Sequence, residues 1–165
     1  MAGFCADEYG CLGQLYINVA DFPLNCPAWD VNNLQTLWIE HAVRTDEVTL
    51  PTAPGRRSYP SRLDQSDYEM TLYVNGEADK DGVAWADPWD GLFQNLQSLW
   101  ANVFAPVSTG DGTRPATLIL PGGGVMEADV KVSPLRALAE IEDPFLATYR
   151  FTLTVPAGRF NYPGS

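Results

Sequence analysis

The sequence predicts an α+β domain, mainly β, in which an antiparallel β-sandwich carries one packed amphipathic helix. Three observations predict it. Apolar residues between Asp87 and Phe104 recur at spacings of three and four, the period of a helix with one buried side. Segments on either side alternate apolar and polar residues, the period of strands. The downstream connections are short and rich in Gly and Pro, which favours hairpins and therefore antiparallel pairing.

Taken in chain order, the first dozen residues hold Gly3, Gly10, Cys5 and Cys11 and no core pattern, so 1–12 is expected to be an arm. A single domain is expected over 13–160, with 161–165 as a tail. Leu15, Ile17 and Val19 alternate with Tyr16 and Asn18, a strand that Asp21-Phe22-Pro23 interrupts. Trp29 to Leu37 is a second extended candidate, with a helix as the alternative. From 43 to 62 the chain carries Pro51, Pro54, Gly55 and Pro60 and few paired apolar positions. An uncommitted stretch of that length is usually a contact-making loop. Tyr68, Met70, Leu72 and Val74 then alternate with Glu69, Thr71 and Tyr73, and Asn75-Gly76 reads as a turn.

The helix itself is expected over 87–104. Asp87 suits the N-cap, Pro88 the first helical position, and Asp90 the positive end of the dipole. Trp89, Leu92, Phe93, Leu96, Leu99, Trp100, Val103 and Phe104 form one wide apolar stripe, and Pro106 stops the element. On this reading Trp89 and Trp100 belong to the core, Trp85 staples the cap, and Trp29 and Trp38 are left free for surface contacts. Ala116 to Leu120 and Val125 to Val132 form a hairpin about Pro121-Gly122-Gly123-Gly124. Phe145 to Val155 alternates throughout and is the last strand.

Composition narrows the function. The 165 residues fit one domain, and a chain of that length buries about 70% of its extended surface. Charged residues make up only 19% of it. That is thin cover for an isolated domain and suggests that neighbours shield part of the surface. Acids outnumber bases 21 to 10, for a formal charge of −11. Tight binding to nucleic-acid phosphates needs clustered Lys and Arg, and the one short basic run is Arg56-Arg57 with Arg62 nearby. Sequence-reading recognition is therefore not expected, whereas an acidic surface that lets DNA slide past is compatible with the charge. No apolar run is long enough to span a bilayer. The opening residues lack a basic region followed by an apolar one, so retention in a cytoplasm until assembly is expected.

No chemistry is singled out. The lone histidine, His41, has no nucleophile motif beside it, so no catalytic residue is assigned. Cys5, Cys11 and Cys26 with His41 could supply zinc ligands, but their spacing does not fit the short turns such sites use. Asp79-Lys80-Asp81-Gly82 is half of a calcium loop, without the third ligand and closing Glu. Gly122-Gly123-Gly124 has no Lys-Ser/Thr to grip a phosphate. No metal and no cofactor is expected.

Five stretches stand out: Phe22-Pro23-Leu24-Asn25-Cys26-Pro27-Ala28-Trp29-Asp30-Val31, the loop Arg56-Arg57-Ser58-Tyr59-Pro60-Ser61-Arg62, Ala86-Asp87-Pro88-Trp89-Asp90-Gly91-Leu92, Thr109-Gly110-Asp111-Gly112-Thr113-Arg114 and Val155-Pro156-Ala157-Gly158. In this order and spacing the chain resembles the small minor or distal tail proteins of actinobacterial siphophages. The resemblance implies a tail-tube-type fold, six copies closing a ring through which the genome passes, and a place in the virion tail beside other tail proteins. It implies no catalytic residues. The ring could be the distal one at the tube tip or the repeating subunit of the tube, which copy number per virion distinguishes. A carbohydrate-binding sandwich using Trp29 and Trp38 is a further alternative. The inter-subunit contact candidates are Arg56, Arg57, Tyr59 and Arg62.

Overall fold

A computed structural model describes residues 15–32, 34, 37, 43–44, 47–49, 56–58, 62–63, 65–108 and 110–163. The arm expected over 1–12, with Cys5 and Cys11, lies outside these residues, as do Trp38, His41 and Tyr59. The strands are β1 (Tyr16–Val19), β2 (Phe22–Pro23), β3 (Trp29–Asn32), β4 (Val43–Arg44), β5 (Glu47–Thr49), β6 (Arg56–Ser58), β7 (Arg62–Leu63), β8 (Ser66–Val74), β9 (Arg114–Ile119), β10 (Val125–Val132), β11 (Arg136–Ala137) and β12 (Ala147–Val155). One helix, α1 (Pro88–Leu99), follows β8 and widens into a π-type turn over Trp100–Phe104.

The sandwich is made from one curled sheet rather than two separate ones. Its strand order is β2-β1-β9-β10-β12-β8-β3, with β11 added alongside β12. All neighbours are antiparallel, and β10 is where the sheet turns. Val125–Val130 pair with β9, whereas Lys131 and Val132 pair with β12. Inward side chains from both halves then meet in one core: Ile17 and Val19, Ala116 and Leu118, Met70 and Leu72, Phe151 and Leu153. Each large side chain buried there contributes about 1.5–3 kcal/mol. On β8 the alternation seen in the sequence is realised residue by residue, with Tyr68, Met70, Leu72 and Val74 buried.

Helix α1 begins as its sequence dictates. Asp87 is extended and its carboxylate accepts the Trp89 N–H at 3.1 Å, a conventional N-cap. Its buried side, however, is rotated from the expected stripe. Gly91, Leu92, Asn95 and Leu99 face inward, followed by Val103 and Phe104 in the π-type turn. Trp89, Phe93 and Trp100 are 43%, 57% and 54% exposed, which corrects their assignment to the core. The cause is Asn95. Its amide donates to the carbonyls of Asn75 (2.7 Å) and Ala78 (2.9 Å), and its oxygen accepts the Trp85 indole N–H at 3.2 Å. A polar side chain thus fastens the helix to the end of β8, and the aromatic line turns outward. At the far end Ala105 N–H bonds Trp100 O at 2.7 Å, five residues back. That extra residue per turn brings both Val103 and Phe104 inward, Phe104 edge-on to Phe151 at 5.1 Å. Arg114 closes the end by donating to the carbonyls of Asn102 and Ala105.

Two turns differ from expectation. Asn75-Gly76 is not a hairpin turn, because Gly76 passes directly beneath the helix. A Cβ there would overlap the Pro88 carbonyl and lie 2.8 Å from Leu92 N. The two-residue hairpin occurs instead at Ala20-Asp21, both at positive φ (51° and 60°), where Val19 pairs with Phe22. The last strand starts at Ala147, leaving Phe145 exposed. Beyond it Phe160 is fully buried, and Asn161 exchanges backbone hydrogen bonds with Glu127 (2.7 and 2.9 Å), which ties the first residue of the expected tail to β10.

Candidate functional site

The segment expected to be a contact-making loop has β structure. β4 pairs with β7 (Val43 with Leu63, Arg44 with Arg62), and β5 pairs with β6 (Glu47 with Ser58, Thr49 with Arg56). The second ladder is nested within the first along the chain, the order of an antiparallel hairpin, and both lie between β3 and β8 in sequence. Of the contact candidates, Arg56 and Arg57 lie on β6 and Arg62 on β7, while Tyr59 is outside the described residues. The hairpin is also where positive charge concentrates. Residues 43–63 hold four of the chain's basic residues (Arg44, Arg56, Arg57, Arg62) against two acids, leaving six bases against nineteen acids elsewhere. A basic element is thus set into an acidic body.

A pocket of about 160 Å³ opens at the other end of the β3–β8 pair, walled by Cys26, Trp29, Asp30, Tyr73, Phe145 and Leu146. Trp29 is 2% exposed, stacked on Phe22 at 5.7 Å, and its indole N–H donates to Pro23 O at 2.9 Å. It is a wall and not the free surface contact the sequence suggested, which removes half of the sugar-stacking platform. Asn25 braces the floor. Its Oδ1 accepts the Ile17 N–H at 3.0 Å and its amide donates to Asp30 Oδ1 at 2.6 Å, linking β1 to β3. Partial burial lifts the Asp30 carboxyl above the ordinary range, an effect the Asn25 hydrogen bond reduces. Among the described residues no basic side chain pairs with it. Cys26 is buried, and desolvation pushes its thiol up to about 11, so at neutral pH it is not a nucleophile.

A third surface is the outer side of α1, where Trp89, Phe93 and Trp100 line up with half-buried Leu96 between them. Sequence periodicity found these residues and gave them the opposite side. The acidic turn at Asp79 is occupied by its own backbone. Asp79 Oδ1 accepts the N–H groups of Asp81 and Val83, both at 2.9 Å, with Gly82 at φ +86°. Among the described residues, no group of three or more His, Cys, Asp or Glu is arranged to hold a metal ion. No described helix is long and apolar enough to cross a membrane.

No protein-family model and no curated protein sequence matches the chain. Among solved structures that do match is the SPP1 Dit (gp 19.1) protein, a paradigm of the hub adsorption apparatus in phages infecting Gram-positive bacteria. The TM-score is 0.50 at 12% identity, over 86% of this chain and 49% of that one, so this chain spans about half the length of that protein. Another is the sheath–tube complex of PVC, an extracellular contractile injection system, in its extended state, at TM-score 0.43 and 14% identity over 93% of this chain and 89% of that one. The first likeness gives the chain a fold of the phage tail type.

Proposed function

We propose that the chain is a structural subunit of a bacteriophage tail, in which six copies close a ring around the DNA conduit, as a distal or minor tail protein at the tip of the tube. One observation carries the reading: a fold shared with a phage hub protein has a basic hairpin set into an acidic body. Ring-forming subunits join two different patches head to tail. A long hairpin and a chain charged at only 19% of its positions suit a surface that neighbours cover. The acidic body suits a wall past which DNA travels without sticking, and neighbouring tail proteins are the remaining partners. The one described thiol is buried and the Asp79 carboxylate holds its own turn, so neither is poised for turnover.

Negative-stain imaging of the purified chain tests this. Six-fold rings with a central hole are expected. Particles of single-subunit size across the whole micromolar range would exclude a ring-forming subunit.

A further inference from the structure

We propose that the pocket beside Asp30 is the seat for the basic hairpin of a second copy of this chain, with the Asp30 carboxylate pairing a guanidinium of Arg56 or Arg57. This rests on the ring reading above and names the surface that receives the hairpin.

Three observations converge on that occupant. The first is charge. The hairpin carries four bases against two acids while the rest of the chain carries six against nineteen, so the hairpin of one copy is attracted to the body of another at the distances where subunits meet. The second is the pocket's unfinished electrostatics. Asp30 is half-buried among Trp29, Tyr73, Phe145 and Leu146, its described partners are the Asn25 amide and backbone, and burial lifts its carboxyl. A half-desolvated carboxylate whose described partners include no cation is costly, and an incoming guanidinium relieves that cost. The walls suit the rest of an arginine, since Tyr73, Phe145 and Leu146 are 38%, 52% and 55% exposed and offer apolar surface to its stem and plane. A volume of about 160 Å³ takes one long side chain; ligand pockets for drug-sized molecules run to roughly 300–1,000 Å³.

The third is position. Asn32 at the end of β3 pairs with Thr71, and Trp29 at its start pairs with Val74. The hairpin strands end at Leu63, shortly before Ser66 at the start of β8, whereas Tyr73 and Val74 in the pocket are at the end of β8. At about 3.3 Å per residue these ends are some 25 Å apart along the strand. The chain thus returns from the hairpin at one end of β8 while the pocket lies at the other, and two different patches set apart in this way suit a head-to-tail contact, the arrangement that closes a ring.

The test is a double-mutant cycle on ring assembly, followed by native mass spectrometry across a dilution series. It compares wild type, Asp30→Asn, Arg56→Gln with Arg57→Gln, and the triple variant. Asn keeps the oxygen that accepts from Asn25, so Asp30→Asn is expected to melt no lower than wild type. Each partial variant is expected to raise the half-assembly concentration about tenfold or more, and the triple variant to be no worse than the weaker parent. Wild-type assembly by Asp30→Asn, multiplicative losses in the triple variant, or a lowered melting point for Asp30→Asn would overturn the pocket assignment while leaving the ring intact. A wild-type chain that stays monomeric overturns both.

Discussion

Replacing Gly91 by alanine sets two well-measured effects against each other. In an exposed helix interior the change is favourable by about 1 kcal/mol, because glycine is the poorest non-proline helix former. Here the added methyl would sit 2.5 Å from Gly76 O and 2.5 Å from Trp85 Cγ, about 1 Å inside ordinary contact with both. One of those neighbours is backbone, and the other is an indole pinned by its hydrogen bond to Asn95. Neither can move without disturbing the Asn95 bonds that fasten α1 to β8. Overpacking of this kind costs about 3 kcal/mol, the upper end of the usual range. After the propensity gain the net loss is about 2 kcal/mol, or roughly 4–8 °C in Tm for a chain of this size. Urea denaturation and calorimetry of the purified variant measure it directly. A Gly91→Ala protein as stable as wild type, or more so, would refute the close crossing of helix and strand.

Other outcomes follow from the same geometry. Asn95→Leu is expected to cost about 2–4 kcal/mol by equilibrium unfolding, because two carbonyls and an indole N–H lose their partner; undiminished stability would show the network to be ornamental. Phe93→Ser is expected to change folding stability by less than about 0.5 kcal/mol, and Phe104→Ala to cost about 3–5 kcal/mol; similar losses at both would return the aromatic line to the core. Ala20→Asn with Asp21→Gly, which suits the two left-handed turn residues, should raise stability by about 1 kcal/mol, and a loss would contradict the turn geometry. The folded chain raises the pKa of Asp30, so it binds that proton more tightly than the unfolded chain. Stability therefore falls as pH rises from the ordinary carboxylate pKa through the raised one. The melting-point difference between Asp30→Asn and wild type should grow in favour of the variant across that window, and a difference that ignores pH would remove the burial effect.

Period-two and period-three-and-four patterning located β1, β8, α1, the β9–β10 hairpin and β12, because each buries one side against a shared core, whereas the extended candidate over Trp29–Leu37, with a helix left open, is a strand over Trp29–Asn32. What patterning did not locate has local causes. An apolar stripe wider than the available contact leaves its rotation open, and three hydrogen bonds to Asn95, written in sequence as one more polar residue, settled it. Asn75-Gly76 has the residues of a tight turn but serves a close helix crossing, whereas Ala20-Asp21 makes the turn without them, held by pairing on both sides. The described strands within 43–63 pair with one another and with no strand of the main sheet, in keeping with the missing core pattern. Its basic run was nonetheless visible as composition. The pocket at Asp30 was not, since its walls come from three separate stretches of chain, around Asp30, Tyr73 and Phe145.

Ring formation, as proposed, depends on a basic hairpin that joins neighbouring copies. Native mass spectrometry of the wild-type chain beside the double variant Arg56→Glu with Arg57→Glu tests it most directly. Wild type at six chain masses and the variant at one, with identical circular dichroism, is the expected result. Both proteins at six masses, or both at one, would contradict it.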